Sequence, residues 1–556
     1  MGKIVLDGNE VDFKQGQTII EAAKDAGVEI PHFCWHPSLS VSGNCRVCLV
    51  EVEKMPKLAI ACATQASEGM VVNTNSGKAL EARRAVMEFL LINHPLDCPI
   101  CDEAGECKLQ DYTYDHSIGE SRFTETKTNK DKRVQLGPHV MFDGDRCISC
   151  SRCIRFCDEI AGETELTFVK RGDRVTITTF PGKELDNPYS LNVVDICPVG
   201  ALTSRDARFR ARVWDMSHTN TICNGCSRGC NTEMWVRSNE IVRLVPRFNP
   251  DVNSYWMCDN GRLNTFRFVN AESRVDGPHV RREGKLTKVT WDEALGSISS
   301  EIKGINGKEI AFIGSPFATI EDNYILSKLA KSLHSKNIDM PEYIIPGSAD
   351  DILIREDKTP NSTGAKLAGV VPQKDGLNLD GIMKAVKEKK IRVLFVMEED
   401  IALLKPEYAE ALKTIEFLFV MASNFNSTTE FANVVLPAAT YAEKNGTWMN
   451  FQKRLQRIRP AVTTLDMDRS LDGLEMSRLD KFGTKWDRWG NYKKYDARPS
   501  WRILVELAGL MGDKMKFRMA EEVFDDAAKH IEELHGVTYD EIGESGFELT
   551  KKAVKV

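Results

Sequence analysis

All 16 cysteines of this 556-residue chain fall between Cys34 and Cys258, and the longer remainder after Cys258 holds none. They form four groups whose gaps include steps of two or three residues, spacing that lets neighbouring thiolates converge on one metal centre, so the region reads as a relay of iron–sulfur clusters. Paired cystines are the competing use. A chain of this length divides into several domains, each able to bury a core without covalent staples. The cysteines cluster as C-x2-C instead of spreading evenly, and no charged, apolar and small-residue leader is visible at Met1. No apolar run approaches the ~18 residues needed to span a bilayer, so a soluble or peripheral protein is expected. The acidic balance, 74 basic against 81 acidic residues, argues against nucleic acid as a partner.

Taken in order, Ile4, Leu6, Val11 and Phe13 alternate across the turn residues Asp7, Gly8 and Asn9, a β-hairpin signal. Thr18 and Glu21 make a capping box for a helix over 19–26, which Gly27 ends. Hairpin then helix suggests a β-grasp unit. Cys34, Cys45, Cys48 and Cys62 follow as C-x10-C-x2-C-x13-C, with small residues such as Ser42 and Gly43 in the first loop. Four thiolates on two irons make a 2Fe-2S centre; a four-thiolate zinc site is the alternative, although zinc sites more often use two C-x2-C knuckles. A helix is expected over 79–93, with Met87, Leu90 and Leu91 on one stripe that His94 extends. A histidine there is ordinarily a core residue. In H-x3-C-x2-C-x5-C, however, only Cys98, Cys101 and Cys107 supply thiolates locally, which favours His94 as the fourth ligand of a 4Fe-4S centre.

Cys147, Cys150, Cys153 and Cys157, with Cys197 before Pro198, resemble a bacterial ferredoxin half-site. In such folds the first three cysteines and the distant one hold one 4Fe-4S cluster, while the fourth local cysteine serves a second cluster. The places of that second run are Asn187, Ser190 and Val193 here, so Cys157 is expected to be a spare buried thiol. Cys223, Cys226, Cys230 and Cys258 form the last group, read as another 4Fe-4S centre with zinc again the alternative, and Trp235, Val242 and Leu244 mark small strands within it. Beyond it, strands at 310–313, 393–396 and 417–421 alternate with helices, one through Leu326 and Leu329, in an α/β pattern. Gly314 and Ser315 follow a strand in the place of a nucleotide-binding turn, without a supporting G-x-G-x-x-G or Walker pattern. The helices near 501–510 and 520–534 carry no legible chemistry, and their charge runs read as solvated faces.

The four groups in this order resemble the family of the large iron–sulfur (G) subunit of respiratory complex I, the NADH-quinone oxidoreductase, bacterial type, over the chain up to Arg274. The later part resembles the molybdopterin oxidoreductases through the run at 289–295, then 432–437, Glu443, Gly446, Thr447, Asn450 and Arg454. The resemblance implies a multi-domain α+β and α/β chain: a 2Fe-2S β-grasp domain (1–77), a histidine- and cysteine-ligated 4Fe-4S domain (78–118), a ferredoxin-like 4Fe-4S domain (119–215), a molybdopterin-oxidoreductase-type 4Fe-4S domain (216–275) and a truncated α/β domain (276–556). It implies one 2Fe-2S and three 4Fe-4S clusters, with no molybdopterin. Electrons from an FMN-containing NADH-oxidising subunit would pass through the Cys34, Cys147 and His94 centres to a ferredoxin-like subunit with two 4Fe-4S clusters, then to quinone. A small 2Fe-2S subunit and quinone-site subunits would complete the partners, and membrane contact would come only through the complex. The Cys223 centre would lie off that path.

Two departures separate the chain from working molybdenum enzymes. Where these carry a bridging lysine two residues after the fourth cluster cysteine, this chain has Asn260. They also supply a cysteine, selenocysteine or serine to the metal and add a cofactor-binding domain for which this length leaves little room. A shortened, pterin-free relic without a catalytic residue is therefore expected, at the cytoplasmic face of a bacterial inner membrane, because no transit peptide is visible and many mitochondrial relatives lack the Cys223 motif. An iron-only hydrogenase would need further cysteines after Cys258. A formate dehydrogenase is disfavoured by Asn260, and iron–sulfur subunits of such formate dehydrogenase or hydrogenase complexes stand as the alternative.

Overall fold

The alternation at the N-terminus buries Ile4, Leu6, Val11 and Phe13 on one face of the hairpin Gly2–Leu6 and Asn9–Phe13, with Ile4 opposite Val11. In the computed structural model, which describes residues 2–469, 492–513 and 515–549, the chain divides into two compact units, Met1–Asp215 and Met216–Val556. The expected domain at 276–556 thus includes stretches outside the described residues.

In the first unit, Thr18 and Glu21 form the expected capping box on helix Ile19–Asp25, and Gly27 takes the left-handed conformation (φ 76°). The sheet order is Asn9–Phe13, Gly2–Leu6, Val71–Asn73, Leu49–Val52, Ala59–Ile60. Helix Gly77–Ile92 starts two residues earlier than expected, because the Ser76 side chain accepts from the Ala79 N–H at 3.2 Å. Its buried face also differs from the expected stripe: Ala79, Arg83 and Met87 are buried, and Leu90 and Leu91 only half-buried. Apolar periodicity overlooks Arg83, whose guanidinium donates to Thr74 O at 3.0 Å and Val47 O at 3.4 Å, so that these polar atoms are satisfied inside. The rest of the unit is built on an antiparallel sheet of Leu202–Ser204, Val140–Phe142 and Val134–Gln135, the hairpin Leu166–Val169 and Thr176–Thr179, and the short helix Arg152–Phe156.

The second unit begins with an antiparallel sheet of Ser217–Ile222, Asn231–Arg237 and Glu240–Pro246, holding Trp235, Val242 and Leu244 as expected. A seven-stranded sheet follows, in the order Lys285–Lys288, His279–Arg282, Val434–Pro437, Phe417–Ala422, Val393–Met397, Ile310–Ile313, Asn337–Asp339, parallel from Val434–Pro437 onward. Its central strands are buried on both faces, which explains their unbroken apolar runs. Phe312 stacks on Phe395, and Phe395 meets Phe419 edge to face, across three strands, with ring centroids 4.5 and 5.2 Å apart. Helices Ile320–Ser332, Ser500–Leu510 and Ala520–His530 cover one face through Ile325, Leu329, Leu504 and Phe524. Leu379–Lys387 and Pro406–Leu412 cover the other through Ile382, Val386 and Leu412.

Candidate metal centres

Cys34, Cys48 and Cys62 are buried beside the β-grasp sheet, and Cys45 is half-buried. Cys48 immediately precedes strand Leu49–Val52 and Cys62 lies two residues beyond strand Ala59–Ile60, so strand pairing brings them together, with the Ala61 N–H donating to Cys48 O at 3.0 Å. The long first gap is a loop that folds back through the left-handed residues Gly43 and, just after Cys45, Arg46. The Cys34 thiol contacts those of Cys45 and Cys62, and Cys62 that of Cys48; these hydrogen bonds hold Cys34 and Cys48 below the usual thiol range and push Cys45 and Cys62 above it. The backbone N–H of Cys34 also points at Cys45 Sγ, at 3.5 Å.

The run from Cys147 wraps tightly, because Ser149 and Ser151 both adopt left-handed backbone (φ 55° and 63°). That places Cys147, Cys150, Cys153 and Cys197 around one cavity, with the Ser149 N–H 3.4 Å from Cys147 Sγ. Cys157 is fully buried but does not line the cavity, and burial pushes its thiol up to about 12. Cys157→Ser is therefore expected to leave the iron content unchanged; a fall of about four irons per chain, one cubane, on metal analysis would make it a ligand instead.

His94 lies just past the end of helix Gly77–Ile92, where Lys127 donates to the last carbonyls, Leu91 O at 2.9 Å and Ile92 O at 2.6 Å. It lines one cavity of about 610 Å³ with Cys98, Cys101 and Cys107. Cys98 is exposed and the other two thiols are buried. Burial, then the Arg146 guanidinium, lowers His94 to about 4, which leaves a neutral imidazole with a lone pair at physiological pH. Cys107 is the N-cap of helix Lys108–His116, a place where N–H groups favour thiolate, although burial pushes the bare thiol up to about 12.

These three groups adjoin one another within the first unit. Arg155 Nη2 donates to Cys34 O at 2.5 Å and to Cys150 O at 3.4 Å, and Asn44 donates to Ser149 O at 3.2 Å, so the Cys34 loop rests on the Cys147 run. On the other side, Cys107 Sγ reaches Pro198 O at 4.0 Å. A Cβ added to Gly200 would stand 2.2 Å from Cys101 Sγ, so only glycine allows this approach. The four residues from Cys197 to Gly200 therefore run from the Cys147 group to the His94 group. Gly200, Arg152 and Arg155 are absent from the residues singled out by motif, because spacing signals ligands and not the contacts between ligand groups.

In the second unit, Cys223 and Cys230 are joined by backbone at the end of paired strands, Cys223 N to Cys230 O at 2.9 Å. Cys258 caps helix Asp259–Asn264, its sulfur accepting from Gly261 N–H at 3.3 Å, and Gly225 N–H lies 3.4 Å from Cys223 Sγ. A Cβ on Gly261 would come within 3.0 Å of Cys223 Sγ and 3.3 Å of Cys258 Sγ. Burial raises Cys223, Cys230 and Cys258, the last to about 11. Desolvated thiols of this kind ionise only against a cationic centre, and N–H groups aimed at sulfur are what a cluster requires.

The parallel sheet of this unit reverses its order at strand Ile310–Ile313, where α/β folds receive nucleotide-like cofactors. Here the crevice is filled by the chain itself. Ser315 is fully buried and donates to Glu399 at 2.6 Å, and the Tyr343 hydroxyl donates to the same carboxylate at 2.5 Å. Gly314 is so enclosed that a Cβ would meet Val370 at 2.7 Å. The motif residue Glu443 forms a fully buried ion pair with Arg274, at 2.7 Å.

Five family models match successive segments: the 2Fe-2S iron–sulfur cluster binding domain (3–77), the NADH-ubiquinone oxidoreductase-G iron–sulfur binding region (83–122), the ferredoxin-like domain of NADH-quinone oxidoreductase subunit 3 (137–203), the molybdopterin oxidoreductase Fe4S4 domain (216–270) and molybdopterin oxidoreductase (274–349 and 358–470). Each donor group lies within one of the first four. The G subunit of NADH-quinone oxidoreductase from Rickettsia felis is 42% identical over 345 residues, 62% of this chain and 51% of that protein. The mitochondrial NADH-ubiquinone oxidoreductase 78 kDa subunit of Neurospora crassa is 42% identical over 346 residues, 61% of this chain and 46% of that one. The chain is a homologue of the NADH-quinone oxidoreductase G subunit. It combines the 2Fe-2S, ferredoxin-like and molybdopterin oxidoreductase domains of that fold class, and the match spans about half the length of these relatives. A chain of an NAD+-reducing [NiFe]-hydrogenase is 30% identical, covering 38% of this chain and 91% of that one at a TM-score of 0.34.

Proposed function

We propose that this homologue is the electron-transferring iron–sulfur subunit of an NADH-quinone oxidoreductase, relaying electrons from an FMN-containing, NADH-oxidising subunit toward quinone. The observation that carries the reading is the contiguity of three donor groups in the first unit, Cys34 to Cys147 through Arg155 and Cys197 to Cys101 through Gly200. Cys34, Cys45, Cys48 and Cys62 would hold a 2Fe-2S cluster. Three 4Fe-4S clusters would be held by His94, Cys98, Cys101 and Cys107; by Cys147, Cys150, Cys153 and Cys197; and by Cys223, Cys226, Cys230 and Cys258. Bound clusters supply one-electron transfer. The chain's own groups set spacing, exclude water and aim N–H dipoles at sulfur, and none of its residues is a catalytic acid, base or nucleophile. The five-domain division, the ferredoxin-like, small 2Fe-2S and quinone-site partners, a peripheral place on the cytoplasmic membrane face and an α/β domain without molybdopterin belong to the same proposal. No helix among the described residues is long and apolar enough to cross a membrane.

The purified chain is expected to be coloured, to contain iron without stoichiometric zinc or molybdenum, and to fail to oxidise NADH alone, yet to restore NADH-to-quinone electron flow to a complex lacking it. Colourless protein with zinc, or NADH oxidation by the flavin-free chain, would reject the reading.

A further inference from the structure

Two cations stand where the Cys34 and Cys147 groups meet, both on the short helix Arg152–Phe156. Arg152 Nη1 donates to Ile196 O at 3.1 Å, one residue before Cys197, and Nη2 donates to Trp35 O, one residue after Cys34. Arg155 donates to Cys34 O at 2.5 Å, Cys150 O at 3.4 Å, Ser151 Oγ at 3.1 Å and Ser40 O. Every one of these acceptors is uncharged. Among the described residues neither guanidinium pairs with a carboxylate, and Arg152 Nε is buried without a hydrogen-bond acceptor.

Both side chains are half-buried, and partly withdrawing a cation from water without a counter-ion is unfavourable, a cost that carbonyl dipoles offset only in part. The thiols of Cys34, Cys45, Cys150 and Cys197 lie within electrostatic reach of Arg152, as do the imidazoles of His32 and His36. We propose that Arg152 and Arg155 are positioning residues shared by two centres, clamping the Cys34 loop to the Cys147 run and supplying positive charge that raises both reduction potentials together. The inference rests on the reading that both donor sets hold clusters. Reduction adds one negative charge to a centre, so a nearby fixed cation favours the reduced form. A cation between two centres favours both, and so raises them without opening a large gap that would stall transfer from one to the other. A carboxylate-paired arginine would do neither, because its partner cancels the field.

The test is an EPR-monitored redox titration of the full chain, reconstituted with iron and sulfide, comparing wild type with Arg152→Gln, Arg152→Lys and Arg155→Gln. At fixed ambient potential, Arg152→Gln is expected to lower the reduced-to-oxidised ratio of both centres about tenfold, equal to about 59 mV for a one-electron couple. Arg152→Lys keeps the charge and should recover most of the ratio. Arg155→Gln should move both centres in the same direction, and it decides the matter if Arg152→Gln fails to assemble. Intact signals with unmoved midpoints, or a shift confined to one centre, would overturn the shared role. A wild-type chain lacking both signals would instead remove the cluster reading itself, so the two failures are distinguishable.

Discussion

His94→Ala is expected to abolish or remodel one 4Fe-4S signal while the other centres persist. The imidazole lines the same cavity as Cys98, Cys101 and Cys107, and no other described histidine or cysteine lines it. Alanine would leave three thiolates for four irons. Because burial and the Arg146 charge keep His94 neutral above about pH 4, its lone pair needs no proton displaced at neutral pH. His94→Cys should retain a cluster but lower its potential, since thiolate adds a negative charge that imidazole lacks, the reverse of the effect seen when histidines replace cysteines in Rieske centres. Low-temperature EPR over the reduction range checks both variants. An Ala variant with an unchanged spectrum would make His94 the buried core histidine that its helical position also allows.

What is legible in the sequence is what local spacing encodes. The hairpin at Gly2–Phe13, the Thr18–Glu21 capping box and the central strands of the seven-stranded sheet are signalled by alternation, capping chemistry and apolar runs, all short-range, and they stand where expected. The cysteine groups are similarly local, apart from the distant Cys258, grouped as the last remaining cysteine, and Cys197, placed by its likeness to a ferredoxin half-site. The remainder depends on contacts distant in sequence. Arg155 touches Cys34 across 121 positions, and Gly200 is indispensable only because Cys101 folds against it. The charge-bearing helices of the second unit read as solvated faces, and for Ala520–His530 the partly exposed acids fit that. Elsewhere charge lies at the centre: Glu321 is buried, accepting from Thr447 N at 2.9 Å and Tyr539 Oη at 2.7 Å, and burial raises it to about 7. Charge in a helix looks alike in sequence whether water or a buried partner satisfies it.

Lys444→Met is expected to destabilise the second unit by about 3–5 kcal/mol at neutral pH, the range for removing one partner of a buried ion pair. The Lys444 side chain is fully buried, with Nζ 2.8 Å from Asp322 and 2.6 Å from Glu398. Asp322 also accepts from Thr319 Oγ1 at 2.8 Å and Trp501 N–H at 2.8 Å, and Glu398 from Ser500 at 2.6 Å. One ammonium thus ties the start of helix Ile320–Ser332, the end of strand Val393–Met397 and the start of helix Ser500–Leu510. Methionine fills the space but leaves two carboxylates facing each other without a cation. Burial already raises the Glu398 carboxyl above its usual range even with Lys444 present. A raised folded-state value means that stability falls as pH rises through it, so the loss in Lys444→Met should be smaller at pH 5 than at pH 8, because the orphaned carboxyl takes up a proton. Denaturant unfolding of the full chain at both pH values measures this. Adding Glu398→Gln to Lys444→Met should recover part of the loss by removing one orphaned charge. A Lys444→Met variant as stable as wild type at pH 8, or one whose deficit grows as pH falls, would show that the ammonium is not what balances this buried charge.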